Sequence, residues 1–500
     1  MNANTVERAT RLGRVRGLAR LGVETYRGLR YAEPVQRFRA SVLNNTPWTG
    51  TLDATRFGPI PPQGEVLPEV YGPVPRDAVF SEDCLVLNVH TPREPAADKR
   101  PVILFIHGGS FTGGSGNFYD GTALASGADA VAVCINYRLG VFAALDESWL
   151  GTARDGGGQL WLGDQINALR WVRDNIADYG GDPDCVTVIG ESAGAVSVAA
   201  LCAAPQAEGL VHRAVACSTG YLLDEPSNDV VATVAKARKC NRQDAIAWLR
   251  AAPTTEIMAL QNRGKQLSPQ PVANTPLLPG TMEQLIAARG PKAVPMIAGY
   301  ATNEGLAMEV MFKLGTGLPG WMISIAAHIV ARMVAKHGAK GKANIKAYLK
   351  RLVRATGVRS FGSPFADTVW TDGFRRGAVE YAQMTGAAGS RGYVYVMDMP
   401  MIIGGQRMPA SHGIDVALTF NVGDDPEHTV PAFVDHPRAT ELARRWVAML
   451  GHFARHGEPG SALGEWPAYE PVRRASMRVS CERCEARNDA EKLYREQVWI

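Results

Sequence analysis

The feature that most constrains the fold is the pentapeptide Gly190-Glu191-Ser192-Ala193-Gly194 together with its flanks. Before it, Cys185-Val186-Thr187-Val188-Ile189 is short and β-branched, and reads as a buried strand. After it, residues 195–201 are small and apolar and read as helix. Strand, sharp turn and helix form the setting of a G-x-S-x-G nucleophile elbow. Such a turn strains the serine backbone, so the positions two residues either side must be nearly free of side chain. Gly190 and Gly194 meet that need. A chain with 52 glycines could carry the pattern by chance, and the flanks are what argue against chance.

Around the elbow, short apolar runs alternate with helical patterns. Strands are expected at 85–89, 100–106, 130–136, 214–217, 294–300 and 392–397. The run at 100–106 is apolar enough for burial on both faces of a parallel sheet. A helix opened by Gly163-Asp164-Gln165 is expected to reach Ile176, with the turn residues 180–183 ending it before the elbow strand. This alternation predicts a mainly parallel α/β sheet. Residues 1–22 are polar and arginine-bearing, without the apolar segment of a signal peptide. No apolar run reaches the roughly 18 residues of a membrane span. A net charge of +4 from 53 basic and 49 acidic residues gives no global pull toward nucleic acid. Eight cysteines without a secretion signal predict reduced thiols and a cytoplasmic location.

Acyl transfer by serine needs a base for the hydroxyl proton and an acid that fixes the base's tautomer. Among the histidines that follow the elbow, His328 and His337 fall in or at the end of a helical stretch, and His428 and His436 in a polar loop. His452 and His456 are spaced like metal ligands but lack companions. His412 follows a strong strand at short range and is flanked by Gly413, which suits a catalytic loop. For the acid, Glu304 comes four residues after the strand ending at Tyr300; the alternative is a carboxylate that stabilises a helix N-terminus. His107-Gly108-Gly109-Ser110 follows a buried strand and matches an oxyanion-hole loop rather than a phosphate loop, whose lysine is missing. The expected N–H donors are Gly109, Ser110 and Ala193.

With those motifs in place the chain resembles the type B carboxylesterase family, across nearly its whole length. Glu82-Asp83-Cys84-Leu85-Val86-Leu87-Asn88-Val89 matches the family's EDCLxLNV signature, and a second stretch runs from Gly163 through Gly180-Gly181-Asp182-Pro183 to the elbow. The resemblance implies an α/β-hydrolase fold in one domain over 1–500, with a helical cap at about 306–390. It further implies Ser192 as nucleophile, Glu304 as acid and His412, in His412-Gly413-Ile414-Asp415, as base, with no metal or organic cofactor. It also implies a buried ion pair between Glu82 and Arg138. The segment 58–63 has no cysteine to pair with Cys84, which is therefore expected to be a free buried thiol. The loop at 59–82 lacks the tryptophan with which cholinesterases hold quaternary ammonium.

Residues 310–366 contain no acidic side chain and many basic ones, among them Arg332, Lys336, Lys346, Lys350, Arg351 and Arg354. A solvated basic face on the cap explains this run; weak contact with an anionic membrane surface is the sharper alternative. Cys481-Glu482-Arg483-Cys484 reads as a loop with two incidental thiols. The expected activity is serine-dependent hydrolysis of a small-molecule carboxylic ester through an acyl-enzyme, with no nucleic acid partner. A lipase or amidase acting on larger acyl groups is the runner-up. A non-catalytic binding homologue is disfavoured because serine, acid and base are all present.

Overall fold

The computed structural model describes residues 4–64, 78–147, 158–220, 229–262, 269, 272–316, 345–360, 362–403, 405–420 and 436–499, with only the backbone of 311–316. The chain divides into two compact units. The first comprises Met1–Val66, Pro73–Arg213 and Leu222–Leu285. Its strands are β1 (Asn4–Thr10), β2 (Gly13–Arg20), β3 (Val23–Arg30), β4 (Thr51–Asp53), β5 (Val86–Pro92), β6 (Arg100–Ile106), β7 (Val131–Ile135) and β8 (Gly181–Glu191). They lie in the order β1-β2-β3-β5-β7-β6-β8, with β4 beside β2. The ladders from β1 to β7 are antiparallel, whereas β7-β6 and β6-β8 are parallel. Every residue of β6 and β7 is buried, as the unbroken apolar runs require.

Two helices flank the end of this sheet that carries the elbow. Helix α1 (Leu160–Asn175) begins three residues before the expected Gly163, because Leu160, Trp161 and Leu162 are all buried and extend its apolar side. It ends through a short 3-10 turn capped by Gly180 at φ 83°. Helix α2 (Ala193–Ala203) has no exposed residue. Further along, three short helices at Val230–Arg238, Arg242–Ala251 and Thr254–Gln261 share an apolar cluster with Phe38, Val141 and Phe142.

The ion pair implied by the resemblance is not the one that forms. Arg138 pairs with Asp164 of α1 at 2.6 Å, with side chains 2% and 0% exposed, and its backbone N–H also donates to that carboxylate. Glu82 is instead held by Arg37, whose Nη1 donates to the carbonyls of Leu249 and Ala252. The cause is position. Arg138 leaves the end of β7 facing the first turns of α1, and Arg37 reaches across to the loop that precedes β5. Cys84, in that loop, is a fully buried thiol, and burial pushes its pKa up.

The second unit contains residues 214–221 and Ile286–Ile500. Strands β9 (Arg213–Cys217, whose first residue belongs to the first unit), β10 (Met296–Ala301), β11 (Gly392–Met397) and β14 (Ala475–Val479) are parallel neighbours in that order, and β15 (Glu485–Asn488) adds antiparallel to β14. A separate hairpin joins β12 (Met401–Ile403) to β13 (Gln406–Met408). Helix α3 (Glu304–Thr316) follows β10, α4 is Ile345–Thr356, and the long α5 (Ser363–Ala387) packs on β10 and β11. Two more helices, α6 (Ile414–Phe420) and α7 (Ala439–His456), follow the hairpin. Of the basic run expected on a cap, Arg332 and Lys336 lie outside the described residues, and α4 carries Lys346, Lys350, Arg351 and Arg354 around a buried Tyr348 and Leu352. Among the described residues no helix is long and apolar enough to cross a membrane.

Candidate active site

In the first unit, β8 runs into Ser192, which stands at φ 57° and ψ −120° as the residue capping α2. A left-handed backbone at a non-glycine residue is strained, and strain of this kind gathers at functional turns. The two flanking glycines are required by space. A Cβ on Gly190 would lie 2.4 Å from the Gly194 carbonyl carbon and oxygen, and one on Gly194 would lie 2.0 Å from the Ile106 oxygen. The turn therefore presses directly on the end of β6, and Ser192 is left half-buried.

The loop that leaves β6 lies against this turn. A Cβ on Gly108 would sit 3.1 Å from that of Ser192. Gly109, Ser110 and Phe111 follow with φ of 106°, 55° and 57°, three consecutive positive values. Such a loop holds its shape only if its surroundings over-determine it, and here they do. Gly114 is clamped twice by Gln63, donating its N–H at 2.8 Å and accepting at 2.9 Å. The Phe111 carbonyl accepts from Gly140 N–H at 2.7 Å. Asn136 takes Ser115 and Gly116 onto its side-chain oxygen, each at 2.8 Å. His107 is fully buried, stacked on Tyr137 with centroids 4.5 Å apart, and burial pushes its pKa down to about 4. A fixed loop of backbone N–H groups beside a helix N-terminus suits an accumulating negative charge.

In the second unit the structure brings Glu304 and His412 together. Glu304 opens α3 and is wholly buried. Its Oε2 lies 2.6 Å from His412 Nδ1. Its other oxygen accepts from the Ser218 hydroxyl and from Ala301 N–H, both at 2.7 Å. The Glu304 N–H in turn donates to Thr371 Oγ1 at 2.9 Å. The carboxylate is thus hydrogen-bonded on both oxygens, which fixes its direction. His412 lies between β13 and α6, and Phe374 of α5 stacks on its ring at 4.8 Å and 30°. The residue before it, Ser411, is anchored to α3: its hydroxyl donates to the Asn303 carbonyl and accepts from Ala307 N–H, both at 2.7 Å.

Ser192 and the loop at 109–110 belong to the first unit, and Glu304 and His412 to the second. Of the competing histidines, His328, His337 and His428 lie outside the described residues. His436 faces Glu482 at 3.3 Å, and His452 and His456 contact each other on α7 with rings 4.4 Å apart. Among the described residues no three His, Cys, Asp or Glu side chains gather as a metal cluster. Ser218 and Phe374 were not legible in the sequence, since they meet Glu304 and His412 only through tertiary packing. A polar residue closing β9 was the one available hint for Ser218.

The family model described as the Carboxylesterase family matches residues 4–498. The chain is 37% identical over 313 residues to the para-nitrobenzyl esterase of Bacillus subtilis, covering 59% of this chain and 62% of that protein. It is 30% identical over 508 residues to a medium-chain fatty acyl-CoA hydrolase precursor of Anas platyrhynchos, covering 94% and 87%. A solved structure titled as a PNB esterase superposes with a TM-score of 0.81 at 28% identity, covering 98% of this chain and 99% of that one. The fold is that of the α/β hydrolases, and the chain belongs to the carboxylesterase family of serine hydrolases.

Proposed function

We propose that the protein hydrolyses small-to-medium carboxylic esters through an acyl-enzyme on Ser192. The observation that carries the residue assignment is the buried Glu304–His412 pair, 2.6 Å apart through Nδ1. A carboxylate on Nδ1 leaves Nε2 as the proton acceptor. In this reading Nε2 takes the Ser192 proton as Oγ attacks the carbonyl carbon, then passes it to the departing alkoxide. Water next attacks the acyl-enzyme, losing a proton to His412, and the carboxylic acid leaves with Ser192 restored. The N–H groups of Gly109, Ser110 and Ala193 hold the oxyanion in both steps, and a single such donor is worth about 10² to 10³ in rate. No metal or organic cofactor enters these steps.

The test is hydrolysis of para-nitrophenyl esters of increasing acyl length by the wild type and by Ser192→Ala. Loss of activity in Ser192→Ala with retained folding supports the assignment; equal rates sink it. A rate that peaks at long acyl chains would favour the runner-up, lipase-like reading, toward which the acyl-CoA hydrolase relative points by its name. The eight cysteines are all thiols, which supports a reducing, cytoplasmic location. Weak contact of the basic segment with anionic lipid is checked by liposome co-sedimentation: equal binding to neutral and anionic vesicles at low salt removes it.

A further inference from the structure

The second unit contains a pocket of about 200 Å³ that neither Glu304 nor His412 lines. Its walls carry three guanidinium groups, from Arg375, Arg478 and Arg487, and the carboxylate of Asp398, with the buried Glu491 behind Tyr300 and Ser476. Three guanidinium groups converging on one concave site offer donors to an anion. Arg375 comes from α5 and is 10% exposed. Its guanidinium lies 3.6 Å from the centre of the Tyr494 ring and 5.3 Å from that of Tyr300, so its fork is held in place. Its nearest carboxylate, Asp372, is 3.5 Å away and is already engaged by the Tyr348 hydroxyl at 2.7 Å and Trp499 Nε1 at 3.1 Å. Arg375 also bonds the Tyr300 hydroxyl and lies in the field of the buried Glu491, and its fork of five donors still outnumbers these acceptors.

Nearer solvent, Arg478 donates to Asp398 at 2.7 Å and Arg487 to Glu485 at 2.7 Å, all four side chains being partly exposed. Surface pairs of this kind are weak and exchange readily for a better-charged partner. Thr302, at the end of β10, also lines the pocket, and its buried Oγ1 has no hydrogen-bond partner among the described residues. Three arginines and a hydroxyl suit a doubly charged tetrahedral oxyanion better than a single carboxylate, because each arginine can take its own oxygen.

We propose that this pocket binds a small phosphate-type oxyanion, with Arg375 at its base, Arg478 and Arg487 at its mouth and Thr302 on its wall. The volume admits either free phosphate or a phosphomonoester with a small substituent. The site is separate from the residues assigned to ester hydrolysis.

The experiment titrates the full chain with inorganic phosphate at constant ionic strength, following Tm and the ³¹P line width. The wild type is expected to show a saturable rise in Tm and a broadened phosphate line, neither of which chloride reproduces. Arg478→Gln combined with Arg487→Gln is expected to retain ester hydrolysis and to raise the midpoint of the phosphate response at least about tenfold, the order of two lost charge-assisted bonds. Thr302→Val gives an independent reading, with an expected rise of a few-fold. Glycerol phosphate distinguishes the sources: a lower midpoint than free phosphate assigns a monoester, a higher one the free ion. A response that chloride matches, or that stays unchanged in both variants, overturns the proposal.

Discussion

Nδ1 of His412 lies 2.6 Å from Oε2 of Glu304, and both side chains are buried. Because Ser218 and Ala301 occupy the other carboxylate oxygen, the glutamate has little freedom to turn away. Glu304→Gln keeps the shape but places an amide where the ring needs an acceptor, favouring the wrong imidazole tautomer. A loss of about 10³ to 10⁴ in kcat is expected, with KM nearly unchanged. Steady-state kinetics on a para-nitrophenyl ester, with circular dichroism to verify folding, decides it. A loss smaller than tenfold would remove Glu304 from the acid's role.

The Phe374 ring packs on the face of the His412 imidazole. It stacks on His412 at 4.8 Å and is itself stacked on Trp370 at 6.0 Å and 23°. An aromatic pair of this kind is worth about 0.5–1.5 kcal/mol beyond its buried area. Phe374→Leu should therefore lower kcat roughly 2- to 10-fold, while Phe374→Tyr stays close to wild type. Equal kcat values for the wild type and the leucine variant would show that the stack does not position the ring.

The pH dependence of stability is expected to carry the signature of His107. Burial lowers its folded pKa to about 4 from the ordinary 6.5. Between those values the unfolded chain binds a proton that the folded chain refuses. Stability from this group is thus complete above pH 6.5 and falls as the pH drops toward 4, by on the order of 3 kcal/mol in total. His107→Gln should flatten the decline of Tm between pH 6.5 and 4. An unchanged slope in that variant would show that His107 titrates normally.

The Arg138–Asp164 pair is the most deeply buried of the ion pairs described. Removing one member strands the other charge without water, at a cost of about 3–5 kcal/mol. Asp164→Leu alone should therefore lower Tm sharply. Adding Arg138→Met should restore much of the loss, because two apolar side chains replace two charges of similar volume. The pair is mainly structural if the double variant keeps esterase kcat; a double variant as unstable as the single would contradict this account.

What could be read from the sequence was local. The elbow declared itself because Gly190, Ser192 and Gly194 answer to constraints within one turn, and the buried strands because β6 and β7 are apolar on both faces. The strands β1 and β2 were not expected, since Asn4–Thr10 is largely exposed and its charged residues pair across the ladder, Glu7 with Arg16 for example. Pairing choices were the least legible. Glu82 and Arg138 are both charged and both near the core, yet which carboxylate meets which guanidinium depends on where α1 crosses the sheet.

Ser110 and Phe111 hold left-handed conformations that glycine would adopt without strain. Each withholds on the order of 1 kcal/mol from the stability of the fold, and Gln63 and Asn136 restrain the loop from outside. Ser110→Gly should on that account raise the melting temperature while loosening the grip on a developing oxyanion. Thermal hardening and turnover would then move in opposite directions at one position, and laboratory selection for heat resistance alone would drift toward a sturdier, slower enzyme.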